Sequence, residues 1–193
     1  MTPPSPAIFL DRDGTLHRDA VYMIHFRDFH PIPGVEEALR VMSRAGYRLF
    51  VVTNQSGVAR GLFTLKDVDA LNSEIGRYFR ERGADIEEFA ACPHHPEGIV
   101  PAYARDCDCR KPKPGMLLDL AKRHNLDLAR SYMVGDMERD ALAGLAAGTR
   151  SVIVPPLDNR ETREKLDNSG RFKEFKTLLE FAYSLEREAA SHV

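Results

Sequence analysis

At 193 residues, with 43% hydrophobic and 29% charged positions, the chain has the length for one domain (1–193) with a sizeable core. Lys plus Arg number 27 against 29 Asp plus Glu, a net charge of −2, so the basic excess of a nucleic-acid-coating protein is missing. No basic residue precedes Arg12, as a signal peptide would require, and no apolar run reaches the roughly 18–20 residues of a membrane helix, so a cytoplasmic monomer with no membrane or nucleic-acid partner is expected.

Short apolar runs alternate with segments of helical period, the pattern of a parallel sheet covered by helices. Ala7 to Leu10 reads as the first strand. Pro33-Gly34 opens a helix with Val35, Leu39 and Met42 on one face, and Gly46 stops it. Leu49 to Val52 is a continuous apolar run, as in a strand buried on both faces. Thr64, with Asp67 three residues on, caps a helix expected to run to about Arg82. Ile86 to Ala91 is the expected third strand, and a cysteine- and histidine-bearing loop follows. Pro114-Gly115 opens another helix, Tyr132 to Val134 is a short strand, and Glu138 to Ala147 is a helix stopped by Gly148. Ser151 to Val154 is expected as the last core strand, and the tail (about 157–193) as polar loop and amphipathic helix.

Polar residues collect where these strands end. The first strand runs into Asp11-Arg12-Asp13-Gly14-Thr15, and in open α/β sheets ligands sit outside the carboxyl ends of strands. Residues i and i+2 of an extended chain can face one site, so two carboxylates there can divide labour between nucleophile and acid/base. The second strand ends in Thr53-Asn54-Gln55-Ser56-Gly57, whose hydroxyls, amides and backbone N–H groups suit phosphate oxygens. Arg110 and Lys111 supply fixed cations, which offset charge growing on a transferring phosphoryl group. The fourth strand ends in Gly135-Asp136, with Asp140 one helical turn later, and magnesium favours such hard oxygen ligands. Each signal alone has a plain structural reading as a turn, a polar loop, a basic surface loop or a helix N-terminal charge.

Cys92, Cys107 and Cys109 fall in one 18-residue window, which fits a metal site better than a disulfide framework. Cys-x-His, a gap of 12 residues and Cys-x-Cys give three thiolates and one imidazole, the closed set of structural zinc. His94 mirrors the Cys107–Cys109 spacing and is the expected ligand, with His95 the alternative; three unrelated buried cysteines are the other reading. A zinc there would order the loop 92–109 and aim Arg110 and Lys111.

In this order the four strand-end signals resemble the haloacid dehalogenase superfamily of phosphotransferases, whose signature is DxDG[TV], a Thr or Ser, a Lys, and GD-x3-D. The match spans Asp11 to Asp140, about two-thirds of the chain. The resemblance implies a Rossmann-like three-layer α/β sandwich with a central parallel sheet. It implies Asp11 as the nucleophile forming an aspartyl-phosphate, and Asp13 as the acid that protonates the leaving alcohol and then activates water. Magnesium is implied on Asp11, Asp136 and the Asp13 carbonyl, with Thr53 and Lys111 holding phosphoryl oxygens and Asp140 orienting its neighbours.

Within the superfamily, ACPHHPEG and CDCRKPKPGML, with VVTNQSGVARGLF and YMVGD, are similar to the heptose 1,7-bisphosphate 7-phosphatases, which feed bacterial lipopolysaccharide precursors. Histidinol-phosphate phosphatases share much of this pattern. The likeness implies a zinc-bound loop, no large cap domain and a small phosphorylated sugar substrate. It further implies substrate contacts from Asp19 and Tyr22, from Asn54, Gln55 and Ser56, and from Arg110 on a second phosphate. Better-known members carry a lysine after the fourth-motif aspartate; here Met137 stands there. A reading from another class is a zinc-stabilised binding module that has lost catalysis.

Overall fold

The computed structural model describes residues 3–18, 22–155, 157, 166 and 169–190. Six strands form one parallel sheet: β1 (Ala7–Leu10), β2 (Arg48–Asn54), β3 (Glu88–Cys92), β4 (Tyr132–Gly135), β5 (Arg150–Ile153) and β6 (Phe172–Glu174). They lie in the order β3-β2-β1-β4-β5-β6. β1 is flanked by β2 with Leu10 beside Val51, and by β4 with Leu10 beside Val134. The chain therefore winds outward from β1 to β3, then returns to the other side of β1 to lay down β4. That reversal opens a crevice at the carboxyl ends of β1 and β4, where Asp11 and Asp136 follow.

Both faces of the sheet are covered, which is why its inner strands are apolar without alternation. Ile8, Leu10, Leu49, Val51, Tyr132 and Val134 point to one side, beneath α1 (Val35–Arg44), α2 (Leu65–Arg80) and α5 (Leu178–Ala190). Ala7, Phe9, Phe50, Val52 and Met133 point to the other, beneath α3 (Gly115–His124) and α4 (Glu138–Ala147). The three-layer sandwich expected from the sequence is present. Thr64 caps α2 as expected, accepting from Asp67 N at 3.2 Å while Asp67 Oδ2 accepts from Thr64 N at 2.8 Å.

Several boundaries differ from the sequence expectation. β2 extends through Thr53 and Asn54, because these residues pair with Ala91 and Cys92. β3 starts at Glu88, two residues later than expected; Ile86 is buried but ahead of the ladder. α2 stops at Arg80, with Glu81 as its C-cap. The expectation that Ser151–Val154 is the last core strand is corrected: β6, from the presumed tail, adds to β5 with Phe172 beside Ser151. α5 also belongs to the core, since Leu178, Phe181, Ala182 and Leu185 are buried against the α1 side. Among the described residues no helix is long and apolar enough to cross a membrane.

Candidate active site and thiol cluster

Asp11 extends β1, its N–H donating to Val134 O at 2.8 Å, and the residue is 3% exposed. By the two-residue alternation of the strand it shares the face of Ala7 and Phe9, the side from which α3 and α4 approach. Lys111, in the turn before α3, is equally buried; its Nζ donates to Asp11 Oδ1 at 2.6 Å and to Val52 O at 2.7 Å. The same ammonium lies 2.7 Å from Asp140 Oδ1, an ionic contact off the hydrogen-bonding direction. Asp140 sits in the first turn of α4, where its Oδ2 accepts from Met137 N at 3.0 Å and caps the helix. One buried cation thus stands between two carboxylates.

Asn54 explains how Lys111 is aimed. Its Nδ2 donates to Lys111 O at 3.0 Å and its Oδ1 accepts from Lys111 N at 3.1 Å, a side-chain imitation of strand pairing. Gln55 also turns inward, donating from Nε2 to Asp13 Oδ2 at 2.7 Å and Thr53 Oγ1 at 2.9 Å. Of the residues expected to touch substrate here, Asn54 and Gln55 brace Lys111, Asp13 and Thr53, while Asn54 and Ser56 are partly exposed and Gln55 is buried.

Asp13 carries a network that the sequence reading missed. Arg12 is fully buried and grips Asp13 with two prongs, Nε to Oδ1 at 2.8 Å and Nη2 to Oδ2 at 3.2 Å, while its Nη1 donates to Asn72 Oδ1 of α2 at 2.9 Å. His17 Nε2 lies 2.7 Å from Asp13 Oδ1. Burial alone would raise the Asp13 pKa, but the hydrogen bond to His17 and the Arg12 guanidinium outweigh it and hold the carboxyl well below the usual range. No motif marks Arg12, His17 or Asn72; proximity to the DxD pair could have flagged Arg12 and His17, and nothing local flags Asn72.

Asp11 and Asp136 behave oppositely. Burial, with Asp140 and Asp13 nearby, raises Asp11 to about 7 despite Lys111. Burial and the charge of Asp140 raise Asp136 to about 6. Desolvation works against the Lys111 ammonium, yet Asp11 and Asp140 raise its pKa overall. Asp136 Oδ1 is buried with no hydrogen-bond partner among the described residues, and Asp11, Asp136 and Asp140 can each place one oxygen within 4.8 Å of the others. An orphaned carboxylate oxygen beside two more acids is a donor set that fits a hard divalent cation. Gly14 keeps this space open: its φ is 87°, and a Cβ there would overlap the Asp136 carboxylate.

The second cluster follows β3. Cys92, Cys107 and Cys109 are free thiols whose sulfurs lie 3.6 Å (92–107), 3.2 Å (92–109) and 3.3 Å (107–109) apart. His94 Nδ1 is 3.3 Å from Cys109 Sγ and 3.7 Å from Cys92 Sγ. Four donors at these separations outline a small tetrahedron; zinc–thiolate bonds of about 2.3 Å imply edges of about 3.8 Å. His95 faces away, with Nδ1 accepting from Glu97 N at 3.2 Å and Nε2 lying 3.3 Å from Arg60 Nη2. The thiols share protons unevenly: hydrogen bonding to Cys92 pushes Cys109 down to about 5, while Cys92 is raised by the hydrogen bond to Cys109 and by burial. This group could hold a metal ion. Cys109 leads directly into Arg110, which donates to His94 O at 3.4 Å, and then Lys111.

Of the sugar-contact candidates, Asp19 lies outside the described residues. Tyr22 is 44% exposed, with φ 58° and its ring 6.2 Å from that of Phe63. A cleft of about 690 Å³ lies between Ile24–Arg27 and α2, and is lined by none of Asp11, Asp13, Lys111 or Asp136. Chemistry, not cleft size, locates the site.

Comparison with known proteins agrees with this geometry. The model of the family described as haloacid dehalogenase-like hydrolase matches residues 8–75, and a related HAD-hydrolase-like model matches residues 108–171. The D-glycero-beta-D-manno-heptose-1,7-bisphosphate 7-phosphatase of Yersinia pestis is 45% identical over 155 residues, covering 79% of this chain and 82% of the relative. The enzyme of the same name from Escherichia coli K12 is 45% identical over 150 residues, covering 77% and 78%. A solved D,D-heptose 1,7-bisphosphate phosphatase from B. bronchiseptica, complexed with magnesium and phosphate, superposes with a TM-score of 0.77 at 31% identity, covering 95% of this chain and 99% of that one.

Proposed function

The chain belongs to the haloacid dehalogenase-like hydrolases, and from that premise we propose that it removes the 7-phosphate of D-glycero-D-manno-heptose 1,7-bisphosphate. The observation that carries the chemistry is Lys111 Nζ, buried between Asp11 Oδ1 at 2.6 Å and Asp140 Oδ1 at 2.7 Å beside the unpaired Asp136 oxygen. A nucleophile needs such a cation to remain ionised in a buried crevice, and the same cation meets a phosphoryl group when one arrives. The substrate follows from the two heptose bisphosphate phosphatases at 45% identity.

In this reading an Asp11 oxygen attacks phosphorus, the ester P–O bond breaks, and its electron pair leaves with the sugar oxygen, which takes a proton from Asp13. Water then attacks the same phosphorus, the P–O bond to Asp11 breaks, and Asp13 receives the water's proton. At rest Asp13 is held ionised by His17 and Arg12, the form a base needs. A phosphate dianion arriving beside it raises its proton affinity, so that Asp13 takes up a proton from solvent, or from a monoanionic substrate phosphate, before it acts as the acid. The proton received from water in the second half restores the balance. Thr53 and Lys111 orient the phosphoryl oxygens. Asp11, Asp136 and the Asp13 carbonyl would hold a magnesium ion, which supplies charge compensation for the phosphoryl oxygens.

Zinc at Cys92, His94, Cys107 and Cys109 would play no part in bond breaking, because its four protein donors leave no open position. Its role is to fix the loop that ends in Arg110 and Lys111. Arg110, which can grip a phosphate with two parallel hydrogen bonds, receives the distal 1-phosphate, a duty left to it by the uncharged Met137. The whole chain works as a single domain, its one sheet running from β3 to β6.

Phosphate release from purified protein with magnesium tests the assignment. Heptose 1,7-bisphosphate should lose its 7-phosphate with a kcat/KM at least about 100-fold above that for histidinol phosphate. The reverse ranking contradicts the sugar assignment, and no hydrolysis of either would favour a binding module.

A further inference from the structure

We propose that His17 is a positioning residue, which sets the Asp13 carboxyl for proton transfer to the leaving oxygen. This rests on the reading of Asp13 as the acid/base. Asp13 has both carboxylate oxygens occupied: Oδ1 by Arg12 Nε and His17 Nε2, Oδ2 by Arg12 Nη2 and Gln55 Nε2. Four donors use about all the lone-pair sites a carboxylate has, so the side chain has a defined rotamer and little freedom to leave it.

The partners are not equivalent. Arg12 and the Gln55 amide nitrogen can only donate. An imidazole nitrogen can donate to a carboxylate or accept from a carboxylic O–H, so His17 alone among the three can also pair with an Asp13 oxygen that carries the proton. Its second nitrogen, Nδ1, is buried and has no hydrogen-bond partner among the described residues, so no contact at Nδ1 opposes a change of tautomer when Asp13 takes a proton.

His17 is also rigidly placed. It is fully buried, its O accepts from Gly14 N at 2.9 Å, and its ring sits 5.4 Å from Phe29. A short ribbon secures it on both sides, with Ile32 N donating to Leu16 O at 3.1 Å and Arg18 N to His30 O at 3.0 Å. The ring therefore holds Asp13 from a fixed support, as a positioning group must to keep geometry within a fraction of an ångström.

The test compares kcat/KM for a sugar phosphate, whose alkoxide needs a proton to depart, with that for p-nitrophenyl phosphate, whose phenolate departs without one. Wild type, Asp13→Asn, His17→Ala, His17→Leu and His17→Gln are measured with magnesium, the leucine variant preserving core volume should alanine fail to fold. The proposal expects His17→Ala and His17→Leu to lose about 100-fold on the sugar phosphate but under about 5-fold on the aryl ester, following general-acid magnitudes. His17→Gln, whose amide can present either an N–H donor or a C=O acceptor at about the reach of Nε2, should recover most of that loss. Equal losses on both substrates in the His17 variants, or no loss, overturn the proposal while a selective loss in Asp13→Asn leaves the Asp13 reading standing. Equal losses in Asp13→Asn overturn that reading and the His17 proposal with it.

Discussion

Burial pushes both acids of the DxD pair upward, but at Asp13 alone its neighbours outweigh it. Asp13 is held low by His17 and Arg12, whereas Asp11 and, beyond it, Asp136 are raised from an ordinary 3.8 to about 7 and about 6. In the unfolded chain Asp11 and Asp136 return to ordinary values, so between about pH 4 and 7 the native state binds more protons than the unfolded one. Their contribution to stability therefore falls as pH rises through that window, in protein without metal. A cation that binds only the ionised pair offsets the loss. Magnesium near 100 times its dissociation constant should then raise the melting temperature by about 5–10 °C at pH 8 and by little at pH 5. Asp136→Asn should flatten this difference. A magnesium shift independent of pH would contradict the assignment of these carboxylates to the cation.

The same residues mark what sequence reading can reach. Asp11 and Asp136 stand out because each is a charge placed directly after an apolar strand, and Lys111 and Asp140 gain meaning from their order relative to those two. Arg12, His17 and Asn72 do not stand out, because their partners are as much as 60 positions apart and only the fold brings them together. Asn54 and Gln55 carry a further role that their strand-end position does not reveal. Polar side chains at a strand end suggest ligand contacts, yet both spend amide groups on Lys111, Asp13 and Thr53.

Elements with local signatures were legible, and those defined by pairing were not. The Thr64–Asp67 capping box and the Gly148 stop are written in the sequence, and α2 and α4 follow them closely. β6 spans three residues with one buried apolar side chain and exists only because β5 leaves an open edge for it. The loop after β3 lies between these cases: its ligand spacing is readable, its path is not. Gly115 N donates to Asp108 O at 2.9 Å, which turns the chain from the thiols into α3. If a metal ties this loop, Cys107→Ser should lose it and destabilise the protein by several kcal/mol, lowering the melting temperature by about 10 °C or more. Activity should fall with it, because Lys111 is two residues from Cys109. A Cys107→Ser protein with unchanged metal content and melting would contradict that role.

At the scale of the molecule, the winding reversal between β1 and β4 is the feature from which function grows. It places two strand-end carboxylates side by side, and the turns entering α3 and α4 bring Lys111 and Asp140 against them from the same face. The architecture was legible as a class, a parallel sheet between helical layers, while the sixth strand and the core role of α5 required the fold itself. The central claim is that Asp11 carries the phosphoryl group between two half-reactions. It is tested most directly by quenching the enzyme during turnover, reducing any acyl phosphate with borohydride and sequencing the peptides by mass spectrometry. Homoserine at position 11 in the wild type, and none in an inactive but folded Asp11→Asn protein, is the predicted result; no reduced residue, or one at Asp13 or Asp136, would contradict the account.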